Sequence, residues 1–487
     1  MKSFEELQAE LASAWAVNRP GSTTPHVIVA LPSYSVGESL LSHYAERIPA
    51  LEHRFLLAQL LLHRIPGLEL VFLSSQAPGG EVVDYYHSLV PSQERGRASA
   101  RFRSVVVPDR SARSIAAKLL DRPDVLDRLR GSFAGRPVLI EPWNVTESEV
   151  EVALRLQAPV YGTAPELRPL GYKSAGRRLF AAGGVPVPYG QEDVRTVDDV
   201  VDAVLMVRRR RPAAPGVVVK HDDSGAGDDN VVLRLDAVGE GAAGAERIRA
   251  LVADLPRWYR DDLRAGGVVE ELLAGPRFTS PSVQVDVSPH GEVTVLATHE
   301  QVLGGPTGQV YMGRRFPADP DYAAELARHG RAVGERLAAF GVVGRFSADF
   351  AAVGDGAGGW RLFGLEINLR KGGTAHPYVA LRTLVPGRYD DEAGEWRTAG
   401  DGSPRAYEAT DNLVDEAWLG LEPARAIEAV AAAGVAFDHG RGTGVVLHML
   451  SCLAVDGRCG LTAIGRTPDH ADELLRRARE AIGRGAR

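Results

Sequence analysis

Cysteine is nearly absent. The 487-residue chain holds two, Cys452 and Cys459, close together near its end and without histidines at zinc-ligand spacing. This argues against a disulfide scaffold or a structural zinc; two thiols in so long a chain point to free cysteines in a reducing, cytoplasmic setting. Positive charge has no excess either. Lys and Arg number 56 against 63 Asp and Glu, a formal charge of -7. A dedicated nucleic-acid binder would normally show a basic face, so no nucleic-acid partner is expected. No apolar run approaches the roughly 20 residues that span a bilayer, so no membrane partner is expected. The first fifteen residues, MKSFEELQAELASAW, form an acidic amphipathic helix and not a signal peptide. Internal repeats are lacking. The first strand lacks a G-x-G-x-x-G turn after it, so no dinucleotide site is assigned.

What is present divides into two to four packed units, at 45% hydrophobic and 24% charged residues. From 26 to 161 short apolar runs (HVIVAL, LELVFLSS, FRSVVVP, PVLIEPW) alternate with helical stretches at 51–62, 112–120 and 147–156. This pattern predicts a doubly wound α/β domain with parallel strands buried on both faces. Ligands in such sheets sit at the strand C-termini, which makes Ser33, Tyr34, Ser35, Trp143 and Asn144 candidate pocket residues; ordinary loop roles are as good a reading.

A helix follows from about Lys173 to the Gly183-Gly184 pair, then a second from Val197 to Arg210, whose four-arginine end reads as a solvated terminus. Next, PGVVVKHDDSGAGDDNVVLRL forms a hairpin: a strand ending at Lys220, a loop of small and acidic residues, and a strand from Val231. Backbone N–H groups in such a loop can wrap phosphate oxygens above the lysine charge, although similar loops join strands everywhere. GGVVEELLAG is another strand, with Glu270 and Glu271 on opposite faces. Residues 305–317 read as a loop carrying Arg314 and Arg315, and 320–340 as a helix with Asp319 as N-cap.

The most informative stretch is 344–376. Two apolar-alternating runs, 346–353 and 360–369, flank the turn GDGAGG, a strong hairpin signal. Folding about that turn sets Asp349 opposite Glu366, with Asn368 on the same face and apolar residues behind. An oxygen-only set of two carboxylates and an amide suits Mg²⁺ with substrate phosphates. A solvated hairpin face is the competing reading for any isolated D…E…N spacing. Beyond it, residues 386–405 read as a polar linker or lid. A helix at 423–433, a hairpin and a helix at 468–482 form a small α+β unit.

In order, a lysine before a helix, a strand-end lysine with a glycine loop, an acidic strand end, a strand Asp and E-I-N-x-R resemble the ATP-grasp superfamily over 168–378. SPSVQ, THEQVLGG and EINLRKGGTAHP make the pheganomycin-type peptide ligases the nearer likeness. That resemblance implies a Rossmann-like pre-ATP-grasp domain (1–165), an ATP-grasp domain (166–385, lid subdomain about 185–270) and a linker with a small C-terminal domain (386–487). It implies ATP and Mg²⁺ as cofactors, with Lys173 and Lys220 on the nucleotide phosphates and a lid around Ser224, Gly225 and Gly227. Glu270 is expected to accept the adenine amino group, with backbone at Glu271 to Leu273 completing the hinge. Asp349, Glu366 and Asn368 are expected to hold Mg²⁺, and Arg370 to lie by the transferred phosphoryl group. Two positions depart from the pattern. Arg277 stands where many relatives place a ribose-binding glutamate, and Ser347 where some place an arginine.

The implied activity is ATP-dependent carboxylate–amine ligation through an acyl phosphate, joining an amino-acid-like acid to an amino acid or peptide in natural-product biosynthesis. His376 and Glu300 are the candidates to take the amine's proton; a structural role for His376 is equally open. Another ATP-grasp phosphotransfer or carboxylation activity is disfavoured by the lack of a biotinyl M-K-M sequence. A non-catalytic nucleotide binder has no evident need of two facing carboxylates. A homodimer is the default expectation for assembly.

Overall fold

The computed structural model describes residues 1–36, 41–42, 44–224, 230–236, 238, 241–304 and 310–485. The first sheet holds β1 (His26–Leu31), β2 (Leu68–Ser74), β3 (Phe102–Val106) and β4 (Val138–Pro142) in the order β3-β2-β1-β4. All its pairings are parallel. Successive residues of β1 enter different cores: Ile28 and Ala30 pack with the 54–61 segment, whereas Val27, Val29 and Leu31 pack with the helices Ile115–Leu120 and Glu147–Leu156. The doubly wound expectation therefore holds, because strands buried on both faces need cover on both.

A second sheet is antiparallel, in the order β5-β8-β6-β7, from β5 (Gly190–Gln191), β6 (Gly216–His221), β7 (Val231–Arg234) and β8 (Gly267–Glu271). The helix Val197–Arg210 covers it through Val200, Val204 and Val207, opened by a Thr196/Asp199 capping box.

The largest sheet has eleven strands among the described residues. Its path runs β14-β13-β10-β11-β12-β17-β16-β15, with β9, β18 and β19 attached. These are β9 (Arg277–Thr279), β10 (Pro281–Val287), β11 (Val293–Gly304), β12 (Val310–Phe316), β13 (Gly344–Gly354) and β14 (Trp360–Asn368). The rest are β15 (Gly387–Asp390), β16 (Glu395–Thr398), β17 (Pro404–Val414), β18 (Gly444–His448) and β19 (Arg458–Gly465). One face is apolar: Val283, Val285, Phe346, Ala348, Phe350 and Ile367 pack against the helices Lys173–Ala182 and Ala323–Ala339. The odd-numbered β13 residues Ser347 and Asp349 consequently face the other way.

Four expectations need correction. Residues 386–405 are no linker: β15 and β16 pair with each other and join β17, with Trp396 buried between them. The charged, Gly-rich composition hid an alternation that buries one aromatic. Residues 310–316 form a strand bridging β11 and β17, where a loop was expected. The helix read from 320 starts at Ala323 after Tyr322, and Asp319 accepts the Tyr322 and Ala323 N–H groups through its backbone carbonyl. The stretch 51–62 also divides, into the helix Ile48–His53 and the tighter 3₁₀ segment Arg54–Leu61. Both cysteines are free and buried, and no described helix is long and apolar enough to cross a membrane.

Gly330, on the helix behind the large sheet, sets how closely that helix approaches. A Cβ there would lie 2.6 Å and 2.8 Å from the two methyls of Val283, a side chain with little χ1 freedom. Gly330→Ala should therefore lower the unfolding free energy by about 1–3 kcal/mol through overpacking, seen as a lower urea midpoint, although Gly→Ala ordinarily gains about 1 kcal/mol in a helix. A raised midpoint would contradict this packing.

Candidate active site

The β13–β14 register sets Asp349 opposite Glu366 and Ser347 opposite Asn368. Asn368 Nδ2 donates to Asp349 Oδ2 at 3.0 Å, and Gln301 Nε2, reaching from β11, donates to Asp349 Oδ1 at 3.2 Å. Desolvation, followed by the charge of Glu366, pushes the Asp349 carboxyl up to about 7, against the opposing pull of Arg370 and Lys173. Two carboxylates so placed call for a cation. Lys173, buried at the start of its helix, supplies one: its Nζ donates to Glu366 Oε1 at 2.7 Å and to the Ser224 carbonyl at 2.9 Å.

Behind this pair lies a second one. Lys220 Nζ and an Arg177 guanidinium nitrogen each lie 2.5 Å from an oxygen of the buried Glu270 carboxylate. Burial alone would raise the Glu270 carboxyl; the two cations outweigh it and hold it below its ordinary value. Glu271 takes the opposite face, where its carboxylate accepts the Tyr189 N–H at 2.8 Å. Its own N–H donates to the Tyr189 carbonyl, and that of Leu272 to Gly216; Leu273 follows, half-buried, two residues beyond the end of β8. Ser224 Oγ donates to the His221 carbonyl, and Gly225 and Gly227 lie outside the described residues. Arg370 leaves β14 beside this group and acts on the Asp349 charge. Lys173 and Arg177, on one helix, thus tie Glu366 of the large sheet and Glu270 of the four-stranded antiparallel sheet to a common support.

Other candidates fall elsewhere. Glu300 pairs with Pro281 while Asp349 pairs with Ser282, so Glu300 is on the opposite face, where it accepts from Tyr322 Oη. Arg315 is also on that face and meets Glu408. Arg277 lies over the Trp360 ring at 4.2 Å.

His376 stands in a second cluster, around Asp411 on β17. His376 Nε2 is 3.0 Å from Asp411 Oδ1, and Arg54 and Arg314 donate to Oδ2 at 3.0 Å and 3.1 Å. Arg54 also donates to Tyr34 Oη at 2.8 Å and lies over the Trp143 ring. Two of the strand-end residues singled out from sequence therefore reach this cluster. Ser35 and Asn144 instead bond each other, Ser35 N–H donating to Asn144 Oδ1 and Asn144 Nδ2 to the Ser35 carbonyl. Sequence reasoning missed Asp411, Arg54, His448, Gln301 and Arg177. They come from five separate elements with no motif among them.

Similarity to known proteins agrees with this geometry. Residues 425–478 match the model described as the PGM1 C-terminal domain. The chain is 33% identical over 431 residues to the L-propargylglycine--L-glutamate ligase of Streptantibioticus cattleyicolor, covering 86% of each. The chain belongs to the ATP-grasp peptide-ligase family. Solved structures share the ATP-grasp fold at low identity. N5-carboxyaminoimidazole ribonucleotide synthetase, in its ADP complex, superposes at a TM-score of 0.53 with 12% identity, over 96% of this chain and 98% of that one. The biotin carboxylase domain of Hydrogenobacter thermophilus 2-oxoglutarate carboxylase gives 0.53 and 12%, over 94% and 89%.

Because Glu366 projects from the polar face and not into the apolar core, Glu366→Ala should fold with an unchanged far-UV spectrum and melting temperature within a few degrees. Its turnover with Mg²⁺-ATP should fall at least ~10²-fold, on the scale of removing one charge clamp. Retained turnover would remove Glu366 from the site.

Proposed function

We propose that this ligase phosphorylates the carboxylate of an amino-acid-like substrate with ATP, then joins it to the amine of an amino acid or peptide. The observation that carries this reading is the opposed Asp349–Glu366 pair with Lys173, Lys220 and Arg370 around it. The relative's two named substrates are both amino acids, which supports the same substrate class here.

A carboxylate lacks a good leaving group. Its oxygen attacks the γ-phosphorus, the bond to the ADP oxygen breaks, and ADP departs with the electron pair. The acyl phosphate then takes the amine at its carbonyl carbon and loses phosphate. Phosphoryl transfer asks the protein for positioning and charge neutralisation more than covalent chemistry. Lys173 and Lys220 take the phosphate oxygens, with the Ser224 carbonyl beside the Lys173 ammonium. Glu270 accepts the adenine amino group with lone pairs not engaged by Lys220 and Arg177, and the Glu271–Leu273 backbone serves as the hinge. Arg370 steadies the transferred group. His376 takes the amine's side of the reaction.

The residues present fit Mg²⁺: the donors are all oxygen, and the raised Asp349 carboxyl marks a site short of positive charge. Asp349, Glu366 and Asn368 would hold the ion, which when bound neutralises phosphate charge. Lys173 partly fills that need by pairing with Glu366.

The test is a mass-spectrometric screen of amino-acid and peptide pairs with ATP. The expected outcome is ADP, phosphate and a product one water lighter than the sum of its two precursors. AMP and pyrophosphate would contradict the acyl-phosphate reading.

A further inference from the structure

Asp411 gathers partners from all three parts of the chain. Arg54 opens the 3₁₀ segment that follows the helix Ile48–His53, Arg314 comes from β12, His376 from the helix Ala375–Leu384 and His448 from β18. His376 Nε2 and His448 Nδ1 lie 3.0 Å and 3.2 Å from the same oxygen, Asp411 Oδ1. The two rings meet edge to face, with centroids 4.5 Å apart. Both rings are buried, at 7% and 0% exposure.

Asp411 is ionised. Burial would raise its carboxyl, but His376, Arg314 and Arg54 outweigh that and hold it well below the carboxylate range. An ionised carboxylate only accepts, so the nitrogen of His376 that faces it carries the hydrogen. The lone pair is then on Nδ1. His448 Nδ1 lies 3.2 Å from the same oxygen without bonding to it, and a neutral imidazole carries a lone pair on one of its two ring nitrogens. His376 Nδ1 and both ring nitrogens of His448 have no hydrogen-bond partner among the described residues, although all three atoms are buried. A buried acceptor left unbonded is costly, and unbonded imidazole nitrogens on two rings of one cluster call for an N–H donor that arrives from outside. Burial keeps both imidazoles neutral: it takes His376 down to about 4, against the pull of Asp411, and His448 well below its ordinary value. They accept at neutral pH and do not repel an amine.

The cluster is joined to the phosphoryl site. Gln301, which donates to Asp349, lies directly opposite Arg314 in the β11–β12 register. Thr374, two residues before His376, accepts from Gln284, whose strand partner is Ser347 on the Asp349 face.

We propose that His376 and His448, oriented by Asp411, form the pocket for the amino group of the second substrate, with His376 Nδ1 receiving its proton as the amide forms. This rests on the ligase reading above. The neutral amine attacks the acyl carbon, the C–N bond forms, and phosphate leaves with the electrons of the C–O bond. The nitrogen becomes far more acidic once bonded to the acyl carbon, so a weakly basic imidazole suffices to take its proton. Asp411 steadies the imidazolium, as the carboxylate of a catalytic triad does. Asp411 is a positioning residue, and His448 binds the amino group without taking its proton. A divalent metal on the same three side chains is the poorer reading, because Arg54 and Arg314 already hold Asp411 Oδ2.

Hydroxylamine separates the two half-reactions, since it captures an acyl phosphate without needing an amine pocket. Wild type, His376→Ala, His448→Gln and Asp411→Asn are compared for amide formation with the natural class of amine and for hydroxamate formation from the same acid. Amide formation should fall ~10²-fold or more in His376→Ala, with a raised amine KM in His448→Gln, while hydroxamate formation falls less than tenfold. Persistent hydroxamate also shows that the variant is folded. Equal losses in both assays, or amide formation that survives His376→Ala, would overturn the proposal. So would a stoichiometric metal in the purified protein that is lost in His448→Gln. Absence of hydroxamate and ADP in wild type would instead refute the underlying ligase reading.

Discussion

Asp349 and Glu366 face each other across neighbouring strands, and like charges so close and so poorly hydrated oppose their own ionisation. Most of the site answers to that constraint. Lys173 lies on Glu366, Arg370 acts on Asp349, and Asn368 and Gln301 donate to the Asp349 oxygens. The strands cannot slip to relieve the repulsion. A one-residue shift would bring Ser347 and Asp349 into the layer where Phe346, Ala348 and Phe350 pack. The apolar side of the sheet thus holds the polar side in an arrangement that is costly without a cation, a cost that the proposed divalent ion would relieve.

A second set of buried charges links the units. Lys371 Nζ donates to the Pro142 carbonyl and lies 3.0 Å from Glu141 at the end of β4, and its backbone N–H donates to the Trp143 carbonyl. Burial lowers the Lys371 ammonium to about 8, with Glu141 opposing. Tyr161 Oη donates to Asp286 on β10. Buried ion pairs are weak evidence for stability, because desolvation offsets most of their attraction. Their geometry is better read as placement: they set the ends of β1 and β4, carrying Tyr34 and Trp143, beside the Asp411 cluster. The loop joining β14 to the His376 helix is then pinned at Lys371, between the phosphoryl site and the two histidines.

Local pattern carried much of this in the sequence. The parallel strands, the helices at 147–156, 173–182 and 197–210 and the Asp349–Glu366 register follow from alternation, caps and a Gly-rich turn, all short-range features. Long-range pairing was not legible. β12 reads as a loop because Gly-rich sequence precedes it, and β15 and β16 read as a linker because one buried Trp396 among charged residues gives little alternation. The Asp411 cluster draws on residues 54, 314, 376, 411 and 448, and only the completed sheet brings them together. Glu300 was misjudged because its neighbourhood in sequence matched the site while its strand parity did not.

The account stands on direct transfer of phosphoryl to a substrate carboxylate. With an active acid and amine pair, the most direct measurement uses acid labelled with ¹⁸O in its reacting carboxylate. An acyl-phosphate route carries one labelled oxygen per turnover into inorganic phosphate. Unlabelled phosphate beside a completed amide would contradict it.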